Sequence, residues 1–94
     1  MSVALLQVVF YLSGCRSLKE KRQRLKGIRD RFGRSPNVAV CESAHQDSLQ
    51  RAEWSFVASA SSRAVVEKSL AEIERSLSLS VDAELVDVRR RWLV

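Results

Sequence analysis

Four stretches of the chain concentrate apolar residues in the way that β-strands do. Residues 3–12 are rich in β-branched and aromatic side chains and are largely apolar on both faces, which is typical of a central strand. A shorter run at residues 37–42 predicts a second strand. Residues 52–60 predict a third strand, with bulky apolar side chains alternating with mainly polar ones. Residues 83–93 close the chain as a fourth strand.

Two stretches between these strands have helical periodicity instead. In the first, Ser17 and Glu20 have the spacing of a capping box and Gly33 stands where a helix ends, so the pattern predicts one continuous helix between them. Its buried stripe is predicted to consist of Leu18, Leu25, Ile28 and Phe32. A second helix begins after a cap at Ser61 or Ser62. Its stripe is predicted to consist of Val66, Leu70, Ile73 and Leu77.

The resulting order, β-α-β-β-α-β, predicts how the elements pack. Because each crossover is right-handed, both helices must cover the same face of the sheet. We therefore expect one α+β domain over residues 1–94. Its architecture is a ferredoxin-like sandwich, with a four-stranded antiparallel sheet and two helices on one face. The first and third strands are expected to be central.

The sheet face that the helices leave uncovered is predicted to be partly apolar. The residues expected on it are Val3, Leu5, Val9, Tyr11 and Val57. An exposed apolar face of this kind marks a partner surface, and self-association is its simplest use. We therefore expect a homodimer formed through the open face.

Composition restricts the class of protein further. The 94 residues include three Gly and one Pro and are 46% hydrophobic, which excludes collagen-like and disordered chains. No apolar stretch approaches the length of a membrane span, and we expect no membrane partner. The two cysteines, Cys15 and Cys41, are too few for a disulfide framework. Reduced thiols and a cytoplasmic location are therefore expected.

Basic residues are concentrated in the first predicted helix and the loop before it. Between Arg16 and Arg34, nine basic side chains face two acidic ones, while the whole chain carries a formal net charge of +5. Such a patch indicates an anionic partner, most often nucleic acid, and we expect contact with RNA or a ribosomal subunit. The side chains predicted to meet phosphates are Arg16, Lys19, Arg22, Lys26 and Arg29. The alternative is a solvated helix face that keeps the protein soluble.

The start of this helix suggests an anion site as well. Free backbone N–H groups there are expected to lie beside Arg16 and Lys19. An acylphosphatase-like interpretation casts Arg16 and Asn37 as phosphate ligands. However, Gly14 stands alone where that chemistry uses a glycine-rich loop. We therefore expect a binding protein with no catalytic residue and no cofactor.

A polar loop after the second strand contains the only histidine, His45. With Cys41 and Asp47 nearby it suggests a metal site, but such sites need three or four ligands at fixed geometry, and we expect no metal. The residues expected at the loop surface are His45, Gln46, Asp47 and Arg51. We expect the His45 and Asp47 side chains to bond the loop backbone and fix its shape.

One segment is specific enough to suggest a family. Residues 14–22, Gly-Cys-Arg-Ser-Leu-Lys-Glu-Lys-Arg, resemble the Gly-x-Arg-Ser-Leu-Lys-Glu-Lys-Arg signature of the YlxP-like family, small bacterial proteins of unknown function (domain of unknown function 503). Residues 45–47 and 50–52 resemble that family's second conserved block. Residues 66–68 and 85–88 fit its remaining pattern, so the resemblance covers nearly the whole chain.

The resemblance implies a ferredoxin-like fold, in agreement with the element order. Genes of the family often lie beside those of translation and ribosome-maturation factors, which implies RNA or a ribosomal particle as a partner. Members commonly have an Asp just before the His-Gln-Asp block, where this chain has Ala44. A role that needs an acidic residue at that position is therefore not expected here.

Overall fold

The strands and helices lie close to where the hydrophobic pattern places them. The computed structural model describes all 94 residues. Its elements in chain order are β1 (Ser2–Tyr11), α1 (Leu18–Arg24), α2 (Ile28–Phe32), β2 (Val38–Ala44), β3 (Arg51–Ala60), α3 (Arg63–Ser80) and β4 (Glu84–Trp92). None of the three helices combines the length and the hydropathy that a membrane span requires.

The four strands form one antiparallel sheet in the order β2-β3-β1-β4. β1 pairs along its whole length with β3, with Ser2 opposite Ala60 and Tyr11 opposite Arg51. The other edge of β1 pairs with β4. This arrangement confirms the predicted ferredoxin-like α+β sandwich, including the central positions of β1 and β3.

Alternation along the central strands builds the core. Leu6, Val8 and Phe10 of β1 are fully buried on the helix-covered face, where Phe56 and Trp54 of β3 lie opposite the first two. The stripe predicted for α3 is confirmed, because all its members are buried, namely Val66, Leu70, Ile73 and Leu77. Burying each such side chain contributes about 1.5–3 kcal/mol, which holds α3 on the sheet.

The first helical region differs from the single helix that the sequence predicts. α1 ends at Arg24 and α2 begins at Ile28, and between them Gly27 has a left-handed φ of 92°. Any residue with a Cβ is strained at such a φ, so Gly27 supplies the break. After the break, Phe32 packs edge-on against Phe56, with the ring centroids 5.5 Å apart.

The buried stripe of this region differs as well. Leu18 is 43% exposed, whereas Lys21 is only 4% exposed. Leu25, Ile28 and Phe32 are buried as predicted. Lys21 lies one helical turn before Leu25, so a lysine occupies the first position of the buried face.

The capping box at the start of α1 is only half formed. The Ser17 hydroxyl accepts the Glu20 N–H at 3.0 Å, as predicted. The Glu20 carboxylate does not return to Ser17 but lies 3.4 Å from the Arg24 guanidinium, one turn later. The reciprocal bond predicted from Glu20 is therefore wrong, because a cation on the same helix face attracts the carboxylate.

Candidate functional site

Seven basic side chains in and beside α1 and α2 are exposed; two of them are Arg31 and Arg34, and the other five are the set predicted to meet phosphates. We call this set the basic surface, and it consists of Arg16, Lys19, Arg22, Lys26 and Arg29. None of the five takes part in a salt bridge; the four salt bridges of the chain involve other basic residues. The structure thus places the predicted set at the surface with its charge unneutralised.

Neighbouring basic residues hold the fold together instead. Arg24 donates to the main-chain carbonyl oxygens of Ser13 at 2.8 Å and Asp82 at 2.9 Å. Arg31 donates to the Ser76 hydroxyl of α3 at 3.0 Å. The basic segment therefore divides into side chains committed to internal contacts and side chains that are free to meet a partner.

Lys21 binds the loop between β2 and β3, residues 45–50. Its Nζ donates to the main-chain carbonyl oxygens of His45 at 2.9 Å and Ser48 at 2.8 Å. A buried ammonium needs hydrogen-bond acceptors in place of water, and these two carbonyls supply them. Lys21 therefore belongs to the core of the site and not to the basic surface.

The backbone of this loop is unusual at His45, which has a φ of 63°. Left-handed backbone is uncommon for residues other than glycine. The Ser48 N–H donates to the His45 carbonyl at 3.0 Å and closes the turn. The side chains of His45 and Asp47 are exposed and do not make the predicted bonds to the loop backbone. That prediction is wrong, because Lys21 holds the loop through its carbonyl groups.

Gln50 provides a second contact between the β2–β3 loop and the segment after β1. Its main-chain carbonyl accepts the Leu12 N–H at 2.7 Å, and its Nε2 donates to the Cys15 carbonyl at 2.7 Å. Cys15 is fully buried beside this contact. Arg51 follows at the start of β3 and is exposed, as is Gln46 in the loop.

Lys21 and Gln50 were not identified from the sequence as contacts between the two segments. For Lys21 a signal exists, because its spacing of four from Leu25 and seven from Ile28 continues the buried stripe. For Gln50 none exists, because its partners are main-chain groups of residues 12 and 15, which a sequence pattern does not mark.

A cavity of about 480 Å³ lies where α1 and α2 separate. Arg22 and Arg29 line it from the helices, and Glu42 and Gln46 line it from β2 and the loop. Trp54 of β3 lines it from the sheet, and the Arg29 guanidinium lies 5.9 Å from the centroid of its ring. The indole Nε1 of Trp54 is buried and has no hydrogen-bond partner. Two residues of the basic surface thus border a cavity that also contains a carboxylate and an aromatic ring.

The open sheet face has an apolar part and a polar part. The apolar residues predicted for this face all lie on it, namely Val3, Leu5, Val9, Tyr11 and Val57. Leu5 and Val57 are directly opposite each other and only partly buried. In the polar part, Gln7 donates to the Ser55 hydroxyl at 3.3 Å, and that hydroxyl donates to Ser43 at 2.7 Å. No helix covers either part.

The structure does not bring Arg16 and Asn37 together. β1 and β2 run parallel because each is antiparallel to β3. Arg16 follows the end of β1 and Asn37 precedes the start of β2, so the two residues lie at opposite ends of the sheet. Asn37 donates to the Ser69 hydroxyl of α3 at 3.3 Å. The acylphosphatase-like pairing of these two residues therefore has no geometric basis.

Two further expectations concern metals and anions. The chain has no group of three or more His, Cys, Asp or Glu side chains placed to hold a metal ion. At the start of α1, the Ser17 hydroxyl already occupies the Glu20 N–H, and the helix is only seven residues long. Its dipole and free donors are therefore weak grounds for an anion site of their own.

Comparison with known proteins agrees with the fold and the motifs. Residues 3–90 match the family described as "Protein of unknown function (DUF503)". The chain belongs to this family. It is 34% identical over 86 residues to the uncharacterized protein YlxP of Bacillus subtilis (strain 168), covering 92% of this chain and 91% of that protein. In three dimensions it is similar to the structural-genomics protein YJCS, with a TM-score of 0.60, 7% identity and coverage of 96% and 97% of the two chains.

Membership of the DUF503 family gives the contacts of Lys21 and Gln50 a wider meaning. The two segments that carry the family resemblance, residues 14–22 and residues 45–52, are far apart in sequence. They meet in space through the bonds of Lys21 to the loop and of Gln50 to residue 15. The similarity to YJCS, at 7% identity, shows the fold alone.

Proposed function

We propose that this protein is a non-catalytic cytoplasmic module that binds RNA or a ribosomal subunit through the basic surface. The observation that supports the proposal is that the basic residues of one segment fall into two groups with different contacts. Lys21, Arg24 and Arg31 are engaged in internal contacts, whereas the five residues of the basic surface are exposed and free of carboxylate partners. Solubility alone is served by charges of both signs spread over the surface, whereas a patch of one sign in one place is typical of a site that attracts a charged partner.

The expected contacts are with phosphates. Lysine and arginine on a helix surface neutralise phosphate charge and release counterions, which gives affinity that falls steeply with salt. Such contacts position a protein on RNA and carry little sequence information. Binding through the basic surface alone is therefore expected to discriminate poorly between RNA sequences.

The test is co-sedimentation with small ribosomal subunits, and binding to a single-stranded RNA, across a salt series. The test variant replaces Lys19, Arg22 and Lys26 with Glu and leaves Arg29 in place, because Arg29 contacts the Trp54 ring. The matched control replaces three exposed basic residues outside the basic surface with Glu, none of which forms a salt bridge. These are Lys68, Arg75 and Arg91.

The proposal predicts that the wild-type protein and the control bind and that the test variant does not. Because the two variants have the same net charge, a difference between them assigns binding to the basic surface and not to total charge. Equal loss in both variants, or no binding by the wild type at low salt, contradicts the proposal.

A second function, self-association, is favoured by the open sheet face. Leu5 and Val57 are partly exposed on neighbouring central strands, and no element of the chain covers them. The occupant we propose is a second copy of this chain, whose own Leu5 and Val57 would meet the first pair. A sedimentation-equilibrium measurement tests this: Val57→Lys is expected to give monomers, whereas Val65→Lys on the exposed side of α3 leaves the oligomeric state unchanged. A monomeric wild type contradicts it.

A further inference from the structure

The cavity between the helix break and β2 is lined by charges of both signs. Arg22 and Arg29 are contributed by α1 and α2. Two carboxylates also line it, Asp30 from α2 and Glu42 from β2. Neither arginine forms a salt bridge with Glu42, although all three border the same space. A ligand that satisfies this cavity therefore has an anionic end for the arginines and an N–H-bearing end for the carboxylate.

The other lining groups restrict the ligand further. Leu18 and Leu25 offer apolar contact from α1 and the residue after it, and Gln46 offers both a donor and an acceptor beside Glu42. The Trp54 ring offers an aromatic surface from the sheet, beside the Arg29 guanidinium. The volume of about 480 Å³ is within the range of small-molecule sites and exceeds what a free amino acid fills.

We propose that this cavity binds a guanine nucleotide. The phosphate lies against Arg22 and Arg29, and the base enters between Leu18 and Trp54. Guanine presents two adjacent N–H donors, which one carboxylate accepts together. Glu42 is the carboxylate on the β2 side of the cavity, across from the helices that carry the arginines and Asp30. The base also carries a carbonyl oxygen beside these donors, which can accept from the side-chain amide of Gln46 next to Glu42. Because Arg22 and Arg29 belong to the basic surface, the inference rests on the proposed function and adds a base site to it.

The nucleotide is either free or part of a single-stranded RNA whose base is turned out of the stack, and both present the same groups. The full chain with Trp92→Phe leaves Trp54 as the only tryptophan, so its fluorescence reports on the cavity. The probes are guanosine monophosphate, the other three ribonucleotides, guanosine, inorganic phosphate, and a short RNA with and without one guanine. Calorimetry on the wild-type chain checks each affinity.

We expect saturable binding of guanosine monophosphate, and binding about tenfold weaker for guanosine without phosphate. Glu42→Gln is expected to weaken the binding of guanosine monophosphate about tenfold or more. The amide offers a single acceptor oxygen, and its N–H group faces a second N–H group of the base. Glu72→Gln on α3 is the control and leaves binding unchanged. Circular dichroism of both variants verifies that they are folded.

Three results overturn the site. These are no saturable signal with any nucleotide at millimolar concentration, the same signal from inorganic phosphate alone, and unchanged binding in Glu42→Gln. If RNA binding depends on the basic surface but not on guanine or Glu42, the cavity proposal fails and the proposed function stands. If guanosine monophosphate binds but neither RNA nor ribosomal subunits bind, the free nucleotide is the ligand and the proposed function fails.

Discussion

Lys21 Nζ lies 2.9 Å from the carbonyl oxygen of His45, and the two residues come from the two segments that carry the family resemblance. The contact holds His45 in a left-handed conformation, which is uncommon for residues other than glycine but which histidine adopts more often than most. A second bond from the same ammonium, to the Ser48 carbonyl at 2.8 Å, completes the attachment of the loop to α1. The loop surface that carries Gln46 beside the cavity therefore depends on a residue of the first helix.

Replacing Lys21 tests this dependence. Lys21→Met keeps the buried aliphatic stem but leaves two loop carbonyls without their charged donor. We expect the free energy of unfolding to fall by roughly 2–4 kcal/mol, measured by urea denaturation. Lys19→Met, at an exposed position two residues earlier, is expected to change it by less than about 0.5 kcal/mol. Equal effects of the two substitutions contradict a structural role for the Lys21 ammonium.

The break between α1 and α2 depends on Gly27. Open space surrounds the position where a Cβ would be, so any effect of substitution comes from its φ of 92° and not from a clash. Gly27→Ala is expected to lower stability by about 1–2 kcal/mol. Gly27→Asn is expected to lower stability by less than Gly27→Ala does, because asparagine tolerates left-handed backbone better than alanine. An alanine variant as stable as the wild type would show that the two helices fuse without penalty.

The two cysteines are predicted to differ in reactivity. Cys41 is exposed on β2, while Cys15 is fully buried. A thiol reagent that releases a coloured product is expected to modify one thiol quickly in the native protein. The second thiol is expected to react only after denaturant is added. In Cys41→Ser the fast phase disappears. Two fast thiols in the native protein contradict the burial of Cys15.

Salt dependence provides a quantitative check of phosphate binding. For single-stranded RNA, the slope of log K against log salt is about −0.7 per phosphate neutralised. The Lys19, Arg22 and Lys26 to Glu variant is therefore expected to reduce the magnitude of the slope by about 2 if all three residues contact phosphate. The Lys68, Arg75 and Arg91 control retains the wild-type slope. An unchanged slope in the first variant would show that those residues do not contact phosphate.

The fold was predictable because its signals are local and repeated. Alternation along β3 and the four-residue stripe of α3 each predict one buried face, and the structure buries those faces. β1 is largely apolar on both faces, and that pattern predicted its central position in the sheet. The broken helix was not predicted. Gly27 lies inside an otherwise continuous helical pattern. One glycine lowers the stability of a helix there but does not by itself specify a break, which depends on tertiary packing.

The candidate site was predictable only in part. Charge density identified the basic surface, since exposed arginine and lysine need no particular partner. The structural use of Lys21, Arg24 and Arg31 was not predictable, because their acceptors lie far away in sequence or are main-chain groups. The cavity likewise arises from the helix break and β2 together, and no single stretch of sequence encodes it.

The two bonds of Lys21 also bear on cooperativity. The Ser48 amide is bonded to the His45 carbonyl, the same oxygen that the ammonium holds from α1. The His45 carbonyl therefore keeps both of its hydrogen bonds only while the first helix is docked on the sheet. Ordinary surface loops open independently of the core, with small local free energies. This one is expected to open and close with the domain, so that amide exchange at Ser48 reports on global unfolding.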